Sequence, residues 1–216
     1  MRKDLIENWA SNNGISVSPA QMEKLEALQN LVLKINERMN LTAIKTPEDF
    51  AVKHIIDSMT LLPYIKKNAT VLDIGTGAGF PGIVLRIMRD DIMLDLMDSS
   101  IKRMDFIRYA VDELKISGPG RSRVEFIPAR ASDWAQVGAQ YDICTARAVA
   151  TLDKLVKQAV PLMEPDGLFL AMKGPDVTEE LEKAKPALQK IGGFVDRVDI
   201  VEIAEGLKHS IVVIRR

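Results

Sequence analysis

The sequence predicts an α/β, Rossmann-like fold: a seven-stranded, mostly parallel sheet with one antiparallel strand, preceded by a helical N-terminal segment. Three observations carry this. Short apolar runs alternate with helical stretches from Thr70 onward, the first run ends in a glycine-rich turn, and the last two runs are joined by very few residues. Alternation of strand and helix implies a parallel sheet covered on both faces. The short final connection makes that pair antiparallel, because a parallel crossover needs a dozen or more residues.

Residues 1–66 read as the helical segment and 67–216 as the α/β domain. Ser18, Pro19 and Gln21 form a capping box with proline at the first helical position. Met22, Leu25, Leu28, Leu31, Val32, Ile35 and Met39 then recur at helical spacing. Thr46-Pro47-Glu48-Asp49 reads as a second helix start. Strands are expected at Val71–Ile74, Met93–Met97, Val124–Ile127, Ile143–Ala146 and Leu168–Met172, then near 194–203 and 209–215. Helices fit near 82–89, 100–115, 151–160 and 177–190. Pro165-Asp166-Gly167 and Gly192-Gly193 read as turns.

Composition narrows the class. Hydrophobic residues at 47% and charged residues at 27% are the balance of a soluble globular protein. The single cysteine, Cys144, excludes an intrachain disulfide and a cysteine-rich zinc site. No metal site is expected, since His54 and His209 are the only histidines and no ligand cluster surrounds them. No apolar run approaches the roughly 18 residues of a membrane helix, and Met1-Arg2-Lys3-Asp4 lacks a signal-peptide core, so a cytoplasmic protein is expected. The net charge of −1 gives no hint of nucleic acid. Locally, Lys102, Arg103, Arg108, Lys115, Arg121, Arg123 and Arg130 outnumber Asp105, Asp112, Glu113 and Glu125. That excess fits an RNA-facing patch, and equally a solvated helix face.

The most informative stretch is Val71-Leu72-Asp73-Ile74-Gly75-Thr76-Gly77-Ala78-Gly79-Phe80-Pro81-Gly82. A buried strand ends, glycines alternate where the backbone must turn or approach a ligand, and a helix opens. Gly77-Ala78-Gly79-Phe80-Pro81-Gly82 matches the dinucleotide pattern G-x-G-x-x-G. Two details favour a sulfonium nucleoside, S-adenosylmethionine, over a dinucleotide. Asp73 would repel a pyrophosphate but favour an ammonium and sulfonium, directly or through water. Little chain remains for a second substrate domain. Asp98, after the second strand, suits the ribose hydroxyls, and its position also fits a helix N-cap.

These residues resemble motif I of the class I methyltransferases. Further matches follow in order: Asn40-Leu41-Thr42, His54-Ile55-Ile56-Asp57-Ser58, Asp98-Ser99 with Lys102-Arg103, Ala146-Arg147-Ala148, Lys173-Gly174 and the closing His209-Ser210-Ile211-Val212-Val213-Ile214. Over nearly its whole length the chain resembles the bacterial small-subunit rRNA guanine-N7 methyltransferases, historically called glucose-inhibited division protein B. The resemblance implies S-adenosylmethionine as methyl donor and N7 of one guanine of 16S rRNA, position 527 in the usual numbering, as acceptor. It implies a cofactor site on the loop of Asp73, Gly75, Gly77, Gly79 and Phe80, of which Gly75 and Phe80 would border the methionine part. Asp98, Ser99 and Ser100 would hold the ribose and adenine side, Ala131 and Ser132 would flank the adenine, and Arg147 would close the pocket. Where this chain has Ser132 the family often has an acidic residue.

The chemistry agrees with that resemblance. N7 of guanine carries a free lone pair and needs no deprotonation, so alignment rather than a general base would drive transfer. After the fourth strand stands Thr145-Ala146-Arg147-Ala148, not an Asn-Pro-Pro-Tyr motif that grips an exocyclic amine. Arg147 and Lys173, at two strand ends, are the candidate catalytic side chains. The fork of Arg147 suits a guanine edge, a carboxylate or a phosphate; either residue could instead be a strand-end charge turned to water. RNA is expected across this edge, on Lys102, Arg103, Arg121, Arg123, Arg147 and Lys173, with the small ribosomal subunit as context and the protein a monomer. Cys144 reads as a buried structural thiol. His54 lines the pocket if its helix folds over the sheet, and otherwise only packs. Trp9 and Trp134 read as core or rim. Alternatives left open are methyl transfer to another substrate, an NAD-dependent oxidoreductase, and an RNA-binding factor without catalysis.

Overall fold

Ser18 starts the first long helix as its sequence predicts. Its hydroxyl accepts from the Gln21 amide, and the Gln21 side chain accepts from the Ser18 amide. The computed structural model describes residues 1–216, the side chain of Arg121 excepted. It shows α1 (Lys3–Asn12), α2 (Pro19–Met39), α3 (Pro47–Phe50), a π-helical segment Ala51–Ile56 and α4 (Asp57–Met59) before the first strand. Thr46 caps α3 by accepting from the Asp49 amide, the second start expected. The π segment has no sequence signature; such segments are rare and concentrate at functional sites.

The sheet contains β1 (Thr70–Ile74), β2 (Met93–Met97), β3 (Val124–Ile127), β4 (Tyr141–Arg147), β5 (Met163–Lys173), β6 (Phe194–Ala204) and β7 (Leu207–Arg215). Their order is β3-β2-β1-β4-β5-β7-β6. Only the pairings of β7 with β5 and β6 are antiparallel, so the one reversed strand lies second from an edge. The turn expected at Pro165-Asp166-Gly167 is instead a bulge within β5: Tyr141 pairs with Met163, and Ile143 already pairs with Leu168. Strand order reverses between β1 and β4, which is where open α/β sheets bind ligands.

Helices α5 (Gly82–Met88) and α6 (Ile101–Leu114) cover one face, and α7 (Ala131–Trp134), α8 (Leu152–Ala159) and α9 (Thr178–Ile191) the other. Alternation along β1 sends Val71 into the first core and Leu72 into the second. The N-terminal helices share the first core: Ile6, Leu25, Leu28, Phe50 and Ile55 pack with Val71, Val84 and Leu94. Every residue of α5 is buried. Gln21, besides completing its capping box, donates to the Met88 carbonyl at the end of α5 (3.0 Å). No described helix is long and apolar enough to cross a membrane.

Gly82 must be glycine for a packing reason. A Cβ there would stand 2.4 Å from Leu96 Cδ2 and 2.8 Å from Asp73 Oδ2. Gly82→Ala is expected to cost about 1–3 kcal/mol through overpacking, and Ser18→Ala about 1 kcal/mol through the lost cap. Urea unfolding of both variants measures this; a G82A protein as stable as the parent would show that α5 can back away from β1.

Candidate active site

The glycine loop turns on Gly75, Gly77 and Gly79, all at positive φ. Its amides point inward. Thr76 N–H donates to the Met97 carbonyl, Gly79 and Phe80 N–H both donate to the Thr76 carbonyl, Gly77 N–H donates to Asp98 Oδ2, and Gly82 N–H donates to Asp73 Oδ2. A diphosphate needs such donors aimed outward, so this loop is not built to hold one.

Asp73 does not line a cavity, contrary to its expected place beside the ligand. It is fully buried, lies on the α5 side of β1, and accepts from Gly82 N–H (2.9 Å) and Thr145 O–H (3.1 Å). Thr145 is its register partner on β4. Burial pushes the Asp73 carboxyl up, against the hydrogen bonds from its neighbours. It fastens the loop from beneath.

Asp98 does line a cleft, of about 410 Å³, together with Gly75, Met97, Ser99, Ala131 and Ser132. Its carboxylate takes the Gly77 and Ser100 amides (3.1 and 2.9 Å), with Arg103 at 3.5 Å. A carboxylate has about four acceptor sites, so one is still open toward the cleft. Ser100, not Asp98, is the N-cap of α6, accepting from Arg103 N–H. Ser100 and Gly79 are not among the residues that line this cleft, whereas Gly75 is, and a Cβ on Gly75 would stand 2.6 Å from Val149. Apolar side chains (Ile74, Met97, Val149) and polar ones (Ser99, Ser132, Gln158) share its walls, with Asp98 its one acidic acceptor, a mixture that fits a nucleoside.

A smaller cavity of about 220 Å³ continues from Gly75 toward the N-terminal segment, lined by Thr42, His54, Gly77, Phe80, Arg103 and Arg147. The segment does fold over the sheet edge. His54 stacks on Phe80, centroids 4.2 Å apart, and Phe50 packs edge-on against both. Arg147 Nη2 donates to His54 Nδ1 (2.9 Å). Because arginine only donates, His54 carries its proton on Nε2 and donates it to Thr42 Oγ1 (2.9 Å). Ile44 N–H also donates to Thr42 Oγ1, so the hydroxyl proton of Thr42 is left for the cavity. Burial, and then the charge of Arg147, lower the His54 pKa from 6.5 to about 3. A neutral, poorly basic imidazole of this kind is a wall and a tether, not a general base.

Arg147 Nη1 donates to the Lys53 carbonyl and to Asp57 Oδ2, both at 2.9 Å. The π segment supplies Lys53 and His54, so this irregular stretch is the arginine's cradle. With Nη1 filled and one Nη2 hydrogen given to His54, Nε–H and the second Nη2–H have no partner among the described residues. They form one free fork. Lys173 is placed differently: its ammonium donates to the Ala150 carbonyl (2.6 Å) and pairs with Glu180 (2.8 Å). Glu180 in turn accepts from the Leu152 amide. Lys173 thus anchors the β4–α8 loop, while lining a third cavity of about 340 Å³ with Asp57, Arg147, Ala148, Met172 and His209. Ala148, at φ +53°, borders all three cavities.

Asp57, Thr42 and His209, outside the expected site residues, all belong to this edge. Their signal lay only in the matching motifs. Among the basic residues, Arg103 and Arg130 line the cleft of Asp98, Arg108 stacks on Phe126 on α6's flank, and Arg123 faces Glu125; the side chain of Arg121 lies outside the described residues. Cys144 is buried and burial pushes its thiol up, as a structural thiol requires. Trp134 donates to the Tyr141 hydroxyl and Trp9 to the Glu202 carbonyl. The largest described cavity, about 520 Å³, lies by Trp9 and Tyr64 and contains none of the glycine loop.

Since His54 binds its proton more weakly folded than unfolded, stability is lost as pH falls below 6.5 toward 3. The slope from this one group is at most about 1.4 kcal/mol per pH unit. Thermal melts from pH 7 to 5 should show a flatter decline for His54→Gln than for the parent; parallel declines would mean His54 takes up its proton while folded.

The fold is shared with solved methyltransferase structures. An O-methyltransferase from Bacillus cereus in complex with SAH superposes with a TM-score of 0.61 at 16% identity, covering 98% of this chain and 100% of that one. M. jannaschii TYW2 in complex with AdoMet gives 0.58 at 16% identity, over 76% of each chain. Among curated relatives, the ribosomal RNA small subunit methyltransferase G of Acetivibrio thermocellus is 37% identical over all of this chain and 88% of its own length. That of Alkaliphilus oremlandii is 34% identical over 99% of this chain and 90% of its own length. The GidB family model, rRNA small subunit methyltransferase G, matches residues 21–210. With a loop that turns its amides inward, a cleft lined by Asp98 beside it, and these relatives along nearly its full length, the chain belongs to the GidB family of rRNA small subunit methyltransferases.

Proposed function

We propose that this protein methylates N7 of guanine 527 of 16S rRNA, using S-adenosylmethionine, and does so as a cytoplasmic monomer acting on the small ribosomal subunit. The observation that carries the reading is the edge itself: three cavities of different chemistry meeting at Ala148. The nucleoside cleft, with Asp98 for the ribose and Ala131 and Ser132 beside the base, takes the adenosine. The smaller cavity has no acidic lining residue, and its charged members, Arg103 and Arg147, are cations; with the Thr42 hydroxyl it suits the methionine carboxylate. The third, beyond β4 and β5, takes the guanine.

S-adenosylmethionine supplies an activated methyl group, and the protein's work is then to position and to exclude water. A guanine bound for N7 attack cannot have N7 occupied by a hydrogen-bond donor. The free fork of Arg147 would therefore address O6, the neighbouring acceptor, and leave the N7 lone pair unblocked. Lys173 holds the β4–α8 loop that roofs the meeting point. No base is required, which agrees with the suppressed basicity of His54 and the buried thiol of Cys144. Oxidoreductase chemistry on a dinucleotide is disfavoured by the inward-turned loop amides.

Small subunits from cells lacking the modification, incubated with the protein and labelled methyl donor, are expected to gain label as 7-methylguanine at one position, read by mass spectrometry. Label on another base, or none, defeats the assignment. Asp98→Asn should weaken S-adenosylhomocysteine binding roughly tenfold to hundredfold, the loss expected for a charged hydrogen bond; calorimetry showing unchanged affinity would remove Asp98 from the ribose site.

A further inference from the structure

Asp57 and His209 lie outside any role assigned above, yet they meet behind Arg147. Asp57 sits on α4 of the N-terminal segment and is almost wholly buried. One oxygen receives Arg147 Nη1 (2.9 Å) and the other faces His209 Nδ1 (2.5 Å). His209 comes from β7. Because β7 runs against its neighbours, its first residues lie beside the carboxyl end of β5, where Ser210 pairs with Lys173. The single reversed strand thus delivers a histidine to the edge where the parallel strands deliver Arg147 and Lys173. The other groups facing His209 and Asp57 are Thr60, whose hydroxyl stands 3.5 Å from His209 Nε2 while donating to the Asp57 carbonyl, and the cavity wall of Lys173 and Glu180.

We propose that His209 and Asp57 are positioning residues for methyl transfer: His209 fixes the Asp57 carboxylate, and the carboxylate fixes the rotation of Arg147 so that its Nε/Nη2 fork faces the acceptor base. The physical reason is competition. A carboxylate free to rotate could chelate both arms of the guanidinium, since arginine and carboxylate favour a bidentate fork. Occupying one oxygen with a histidine N–H restricts Asp57 to Nη1 and leaves the other edge open. The Lys53 carbonyl and His54 Nδ1 complete the clamp on the same side. This rests on the proposed reading of the site as a base-accepting one.

The test compares His209→Phe, His209→Asn and Asp57→Asn in the parent and in Arg147→Lys. An asparagine at 209 can place an N–H near the position of Nδ1; phenylalanine cannot. In the parent background, H209F and D57N should lower kcat for methyl transfer to small subunits roughly tenfold to hundredfold, with S-adenosylhomocysteine affinity changed less than about twofold, and H209N should recover most of the rate. In the R147K background H209F should add little further loss, because the group it positions is gone. The proposal is overturned if H209F lowers kcat equally in both backgrounds, or leaves it unchanged in the parent. The proton signal of Arg147 Nε, followed by nitrogen-resolved NMR in the folded protein, gives a readout without substrate: slow guanidinium rotation in the parent and H209N, faster rotation in H209F and D57N. Unchanged rotation overturns the proposal even if rRNA is not the substrate, whereas a parent that fails to methylate the subunit defeats the functional reading alone. D57N, nearly isosteric with the parent residue, covers the case in which H209F does not fold.

Discussion

The Asp73 carboxylate ties β1, β4 and α5 together at one buried point, accepting from Thr145 on the neighbouring strand and from the first amide of the helix. A charge-bearing group without solvent is tolerable only when its lone pairs are filled. Here the partners that fill them are the ones that close the glycine loop. The loop must therefore fold back over the carboxylate, and its amides must satisfy the protein rather than a ligand. That constraint leaves few loop amides for a diphosphate, and the acidic acceptor at this edge is Asp98 from the end of the next strand.

The N-terminal segment is part of the site, not an appendage. Its apolar face completes the core over α5, and its π turn and α4 provide Lys53, His54 and Asp57 to the end of β4. A half-buried guanidinium is costly unless its donors are matched by protein or solvent. Arg147 is matched on one side only, by a carbonyl, a carboxylate and an imidazole nitrogen. The unmatched side faces the cavities. Held on one edge and unfilled on the other, its guanidinium is fixed by the protein's own groups.

The electrostatics of the edge agree with a reaction that needs no base. His54 is held neutral because Arg147 occupies its acceptor nitrogen and burial opposes a second charge. Burial likewise keeps Cys144 as a thiol. Asp57 is the exception: burial works to raise its carboxyl, yet the hydrogen bond from His209 and the charge of Arg147 hold it below the usual range. His54 and Cys144 are thus favoured in their uncharged forms and Asp57 as a carboxylate.

Local signals in the chain by themselves determined the layers, the strand positions, the reversed final strand and the glycine loop. Each follows from short-range rules: alternation, capping residues at Ser18 and Thr46, glycine where φ is positive, and a connection too short for a crossover. Asp98 was legible as a cleft residue for the same reason, since it directly follows a strand and stands two positions before a helix cap. Tertiary structure decided what contacts what. The sequence could place Asp73 near the loop but not beneath it, because strand register with Thr145 and the approach of Gly82 set its direction. It could place Lys173 at a strand end but not reveal that Glu180 and the Ala150 carbonyl already hold it. Nor could it join Asp57 to Arg147 and His209, which are separated by many elements and meet only because the sheet order reverses at β1 and β7 runs backward. Periodicity encodes which face a residue takes; only the assembled sheet, with its buried charges forced to find partners, encodes which distant residue it finds there.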